Sequence, residues 1–208
     1  MSQISPRVLR VLGQNAGKFT LQGTNTYIVG TGSHRLIIDT GQGIPEWANL
    51  ISSVLAEQNI TLSHVLLTHW HGDHAGGVPD LLRLYPHLND SIYKHSPSKT
   101  QQPIMDGQVF NVEGATVRAL HSPGHSHDHM CFVIEEDNAI CPRAFVHLQY
   151  ASRDAAACGV RKLGCGLHAS VKHKPCDKTK YARVTLMSWP TVCYDVIKCR
   201  LEWHATTF

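Results

Sequence analysis

Thr68-His69-Trp70-His71-Gly72-Asp73-His74 is the stretch that decides how this chain reads. Residues two apart in an extended segment point the same way, so His69 and His71 can present their imidazoles to one ion. Gly72 lets the chain turn at once. Asp73 and His74 then stand at the mouth of the next helix, where they can face a second ion. Neutral imidazole and carboxylate are the donors a borderline cation such as zinc prefers, and Gly76-Gly77 would let backbone approach closely. A lone histidine usually sits in an ordinary polar loop. Three histidines and an aspartate within six residues, directly after an apolar strand, do not fit that description.

Working outward, Ser122-Pro123-Gly124-His125 follows a predicted strand and places a histidine after a tight turn. His125 is the natural third imidazole for the first ion, although His121, His127 and His129 stand close by. Asp39 ends another strand. It can orient a ligating histidine from behind or cap the Asp39-Thr40-Gly41 turn, and the two roles are compatible.

The flanking segments alternate between strand and helix signals. Val8-Leu9-Arg10-Val11-Leu12, Asn25-Thr26-Tyr27-Ile28-Val29-Gly30 and Arg35-Leu36-Ile37-Ile38-Asp39-Thr40-Gly41 read as strands. Pro45 opens a helix whose Trp47, Leu50, Ile51, Val54 and Leu55 recur at three and four residues. His64-Val65-Leu66-Leu67-Thr68 lacks alternation, as expected of a strand buried on both faces. A second helix is predicted over residues 76–85, and four more strands around Ile92, Val109, Val117 and Phe132. Strands outnumber helices and the helices fall between them, which predicts an α+β arrangement of sheets face to face with helices outside.

The chain of 208 residues, 42% hydrophobic and 17% charged, has the composition of an ordinary globular protein. No apolar run approaches a membrane span, so no membrane partner is expected. The two arginines near the start fit a first strand better than a targeting segment. A seam follows Ile140. Up to it the chain holds 8 Lys/Arg and 12 Asp/Glu; beyond it, 11 and 4, with six of the seven cysteines. Residues 141–208 are therefore read as a basic, cysteine-rich and poorly ordered tail, with its cysteines as free thiols. Such a tail could attract nucleic acid through counterion release.

The His-x-His-x-Asp-His and Pro-Gly-His motifs resemble the metallo-β-lactamase superfamily. With Gly17-Lys18-Phe19-Thr20-Leu21-Gln22-Gly23-Thr24-Asn25-Thr26-Tyr27-Ile28-Val29-Gly30 and Ser122-Pro123-Gly124-His125-Ser126-His127-Asp128-His129-Met130, the chain looks like the beta-lactamase-like protein 2 family of the glyoxalase II-like branch. The likeness runs from about Arg7 to Ile140, the N-terminal part of such a domain. It implies an αββα sandwich, two zinc ions and a mitochondrial-matrix endoribonuclease acting on single-stranded RNA. By the same likeness His69, His71 and His125 hold the first zinc, and Asp73 and His74 the second. Asp73 is also the catalytic carboxylate that orients the attacking water.

The resemblance breaks off at the seam. Ala144 stands where the family has a metal-bridging Asp, and a later Pro-Gly-His and the C-terminal region are missing. The C-terminal half of the sandwich is thus expected to be incomplete, with one zinc held tightly and the nuclease impaired. A glyoxalase II-like thioester hydrolase, a non-catalytic frame-altered product and a cytoplasmic location are the alternatives. Limited tryptic digestion is expected to cut first between Arg143 and Arg200, because cleavage needs locally open backbone. A tail as resistant as residues 1–140 would count against the seam.

Overall fold

A computed structural model describes residues 1–141, together with the backbone of four strands beyond them. The first sheet has seven strands in chain order: β1 (Ser2–Ser5), β2 (Val8–Leu12), β3 (Asn25–Val29), β4 (His34–Ile38), β5 (Thr61–Leu66), β6 (Ile92–Lys94) and β7 (Gln102–Pro103). The strands β1 to β4 form an antiparallel meander, while β4 to β7 run parallel. Parallel neighbours need a crossover. The helix α1 (Pro45–Glu57) supplies one between β4 and β5; α2 (Gly72–Ala75) and α3 (Val78–Leu84) supply the next. The second sheet is antiparallel: β8 (Val109–Val112), β9 (Ala115–His121), β10 (Met130–Ile134), β11 (Ala139–Cys141) and β12 (Val146–His147).

Strand alternation sorts the core into two layers. Val11, Ile28, Ile37 and Val65 face the helices and pack with Trp47, Ile51, Val54 and Leu81. Their neighbours Val8, Tyr27, Val29, Leu36 and Ile38 face the other sheet, meeting Phe110, Val117, Met130 and Phe132. The first sheet is therefore apolar on both sides, and its strands read as near-continuous hydrophobic runs. Cys131 and Cys141 are buried, and burial pushes the Cys141 thiol up. No helix among the described residues is long and apolar enough to cross a membrane.

Three differences from the sequence reading have local causes. The helix expected over residues 76–85 is α3 (Val78–Leu84), and backbone contacts keep it apart from a separate short turn of helix, α2, at the histidine motif itself. The Gly77 N–H donates to the Gly41 carbonyl at 3.2 Å, and a Cβ on Gly77 would collide with the Thr40 carbonyl oxygen. The strand β5 begins at Thr61 and stops at Leu66, so the histidine motif starts just beyond a strand end. The strands β1 and β7 carry no apolar alternation and are too short or too polar to signal themselves.

Beyond Cys141, β13 (His168–Ser170), β14 (Tyr181–Met187) and β15 (Val196–Arg200) form a further antiparallel sheet where no strand was expected. Ala182, Val184 and Leu186 do alternate with Arg183 and Thr185 there. The remaining expectations about the tail, and Ala144, lie outside the described residues.

Gly77→Ala should destabilise the chain by about 1–3 kcal/mol, as overpacking does. Gly72→Ala, which meets nothing within 4 Å, should be close to neutral. Urea denaturation midpoints check the pair, and equal midpoints would sink the close-approach argument.

Candidate metal centre

Beyond the end of β5 the chain stays extended through Thr68 and His69, both buried. His71 then stands immediately before α2. Its Nδ1 lies 3.0 Å from His69 Nε2 and 3.0 Å from His125 Nε2. Three ring nitrogens from two different sheets therefore converge on one point, all within 4.8 Å of one another. A four-coordinate ion with bonds of about 2.0–2.1 Å to nitrogen needs its donors roughly 3.3 Å apart. The triad fits an ion of that kind.

The protonation of these rings is set by what lies behind them. Burial, followed by the neighbouring His74, His129, His125 and His71, holds His69 well below the usual histidine range. It is therefore neutral. The Thr68 hydroxyl donates to the Asp39 carboxylate (2.9 Å to Oδ2), leaving its oxygen to accept from His69 Nδ1–H at 2.8 Å. That fixes the tautomer with Nε2 bare and facing the triad. Asp39 also accepts the Thr68 backbone N–H at 2.8 Å and His74 Nδ1–H at 2.7 Å. The same carboxylate thus aims His69 and His74, and its left-handed backbone (φ 60°) bends the chain away at the end of β4.

Asp73 and His74 form the second part of the site. His74 Nε2 lies 3.4 Å from Asp73 Oδ2, and its ring centroid is 4.3 Å from that of His69. Thr24 donates its hydroxyl to the same Asp73 oxygen at 3.3 Å. Asn15 in turn holds Thr24, accepting its N–H at 2.8 Å and donating to its hydroxyl oxygen at 3.0 Å. Thr24, Asn15 and Thr68 were missed from sequence. The polar run before β3 was their signal, but only the fold brings it to Asp73. Of the surplus histidines, His121 donates to the His127 carbonyl at 2.9 Å, and His129 lies buried 5.2 Å from His69 between ring centres.

The family described as "Metallo-beta-lactamase superfamily" matches residues 19–140. The chain belongs to the metallo-beta-lactamase superfamily. It has that family's fold, mixed α/β with two sheets and few helices, and a solved structure supports this at the level of fold alone. BLEG-1 B3 metallo-beta-lactamase has a TM-score of 0.50 and 18% identity, covering 64% of this chain and 69% of its own. Members of the superfamily typically bind metal ions, in keeping with the triad.

Among curated relatives, a protein of Aspergillus terreus named "Atrochrysone carboxyl ACP thioesterase" is 81% identical over 140 residues, 67% of this chain and 44% of its own length. "Lactamase-like protein ptaB" of Pestalotiopsis fici is 82% identical over 140 residues, 67% of this chain and 45% of its own. The chain thus spans less than half the length of these relatives.

These relatives overturn two expectations. The likeness to beta-lactamase-like protein 2, with its endoribonuclease activity and single-stranded RNA substrate, is corrected: relatives 81% and 78% identical are named ACP thioesterases. The motif could not make the distinction, because the same donors activate water for either bond. A thioester hydrolase was the alternative kept beside the nuclease, although the glyoxalase II-like placement is not what the relatives' names support.

After dialysis, the chain should retain close to one divalent ion per molecule, and His125→Ala should abolish retention; metal analysis showing none in the parent would refute the triad. Without metal, stability should fall as pH drops below the usual histidine value of 6.5. The folded state keeps His69 neutral while the unfolded chain takes up the proton, so stability is full above 6.5 and is lost below it. The slope is at most about 1.4 kcal/mol per pH unit for this group, readable from denaturation at several pH values.

Proposed function

We propose that this chain carries the metal centre of a zinc-dependent thioester hydrolase whose substrate is an acyl group on an acyl carrier protein. The observation that carries the reading is the 81% identity, over 140 residues, to a relative whose name states that activity. The site chemistry agrees with it. His69, His71 and His125 would hold the first zinc through neutral imidazoles, and Asp73 with His74 a second. Zinc, when bound, supplies Lewis acidity to the carbonyl and lowers the pKa of water toward neutrality.

The protein's own groups do the rest. Asp73 is half-buried, and the Thr24 hydroxyl keeps one of its oxygens in place. Its carboxylate can take the proton of the attacking water. The water oxygen bonds to the thioester carbon, the C–S bond breaks, and the thiolate leaves and is protonated, giving a carboxylic acid and the carrier thiol. A thiol ionises at about pH 8.5, so its anion leaves without strong assistance. A phosphodiester's alkoxide asks more of a second metal. Exposed Trp70, set between two triad histidines with its ring 4.6 Å from that of His71, offers an apolar surface at the mouth.

Zinc-loaded chain should release thiol from an acyl carrier protein thioester, followed with a thiol-reactive dye. Asp73→Asn should lower the rate by about 10²–10⁴-fold, and chelation should abolish it. Single-stranded RNA in a parallel assay should stay intact. Cleavage of RNA with no thiol release would overturn the proposal.

A further inference from the structure

The triad has a mechanical problem. His69 and His71 lie just beyond the end of β5 in the first sheet, whereas His125 rides on the loop between β9 and β10 in the second. A shift of that loop by one ångström would pull the third donor out of place. Within the loop, Ser122 N–H donates to the His129 carbonyl at 2.8 Å and closes its base. Met130 N–H reaches across to the Thr68 carbonyl at 2.7 Å. Beside the His125 loop, that backbone bond is a thin tie between the two sheets.

The end of β6 supplies what is missing. Lys94 is 9% exposed, and its ammonium lies 2.9 Å from the Asp128 carboxylate, itself 1% exposed. Ser126 donates its hydroxyl to the other Asp128 oxygen at 2.5 Å. Burial opposes the charge on Asp128, yet the Ser126 hydroxyl and the Lys94 ammonium hold its carboxyl below the usual range. The next residue reaches the other end of the same loop. The His95 ring stacks on that of His121, with centroids 4.0 Å apart and planes at 24°. His95 is itself fixed, donating from Nδ1 to the Ile104 carbonyl at 3.1 Å, and His121 donates to the His127 carbonyl at 2.9 Å.

We propose that Lys94 and His95 are positioning residues that grip both ends of the His125 loop and so set the third metal donor against the other two. Lys94, the last residue of β6, and His95, just beyond it, engage Asp128 and His121, which flank His125 on either side. A buried ion pair is a poor source of net stability, because desolvation offsets its attraction. Its use here is geometric: an ammonium and a carboxylate deep between two sheets tolerate one separation and few others. The clamp rests on the metal reading of the triad.

The test uses Co²⁺ as the probe on the full chain, with affinity from chelator competition and coordination from the visible spectrum. Lys94→Met should weaken binding about ten- to hundredfold, the range for losing a group that orients a ligand, and should change the spectrum as one imidazole departs. His95→Ala should weaken binding less, and His95→Phe, which keeps a ring for His121, should restore it. If Lys94→Met does not fold, the half-buried His95 variants decide the matter. Folded variants with parental affinity and spectrum would overturn the clamp, as would a lowered melting temperature with unchanged Co²⁺ binding. A parent chain that binds no Co²⁺ would overturn the metal reading, and the clamp with it.

Discussion

The carboxylate of Asp39 is the point on which the site turns. It is buried, at the end of β4, and collects the Thr68 amide, the Thr68 hydroxyl and His74 Nδ1–H. Each of those donors belongs to the segment that follows β5, so one charged group sets both where the segment goes and how its rings are protonated. A carboxylate would be expensive to bury without such partners. Through Thr68 it presents His69 Nε2 bare, and through its direct bond it does the same for His74. The metal-binding state of two histidines is thus written one layer behind them.

The second constraint is that the site spans two sheets. The first is apolar on both faces, so it is fixed in depth by the helices on one side and by Phe110, Val117 and Phe132 on the other. Non-directional packing of this kind sets the distance between sheets but leaves sliding cheap. Polar ties remove that freedom. Met130 to Thr68 is one; Lys94 to Asp128 and His95 on His121 are others. These three lie at the end of the sandwich where His125 must meet His69 and His71, while Arg7 with Asp137 ties the sheets at the other end.

The thioesterase correction follows from what a metal motif encodes. Three imidazoles and a carboxylate specify an ion and an activated water, and that reagent attacks thioester and phosphodiester alike. What selects the bond in a hydrolase of this kind is its surroundings: the loops, rings and surfaces that receive a substrate. None of these has a spacing rule that can be read from a chain.

The sequence by itself determined what depends on neighbours along the chain. Residue-by-residue alternation placed His69 and His71 together, three- and four-residue spacing placed Trp47, Ile51 and Val54 on one face of α1, and β-rich runs located β2, β3, β9 and β10. These patterns follow from the fixed geometry of strand and helix, and they survive folding unchanged. The Ser122-Pro123-Gly124 turn already singled out His125 as the third imidazole; tertiary structure brings its ring to the pair and stacks His121 on His95. It decided that Asp39 serves His74 and Thr68 together, that Thr24 and Asn15 hold Asp73, and that Gly77 parts α2 from α3. Each of those outcomes brings together groups far apart in the chain, and only closed loops and packed sheets fix such distances.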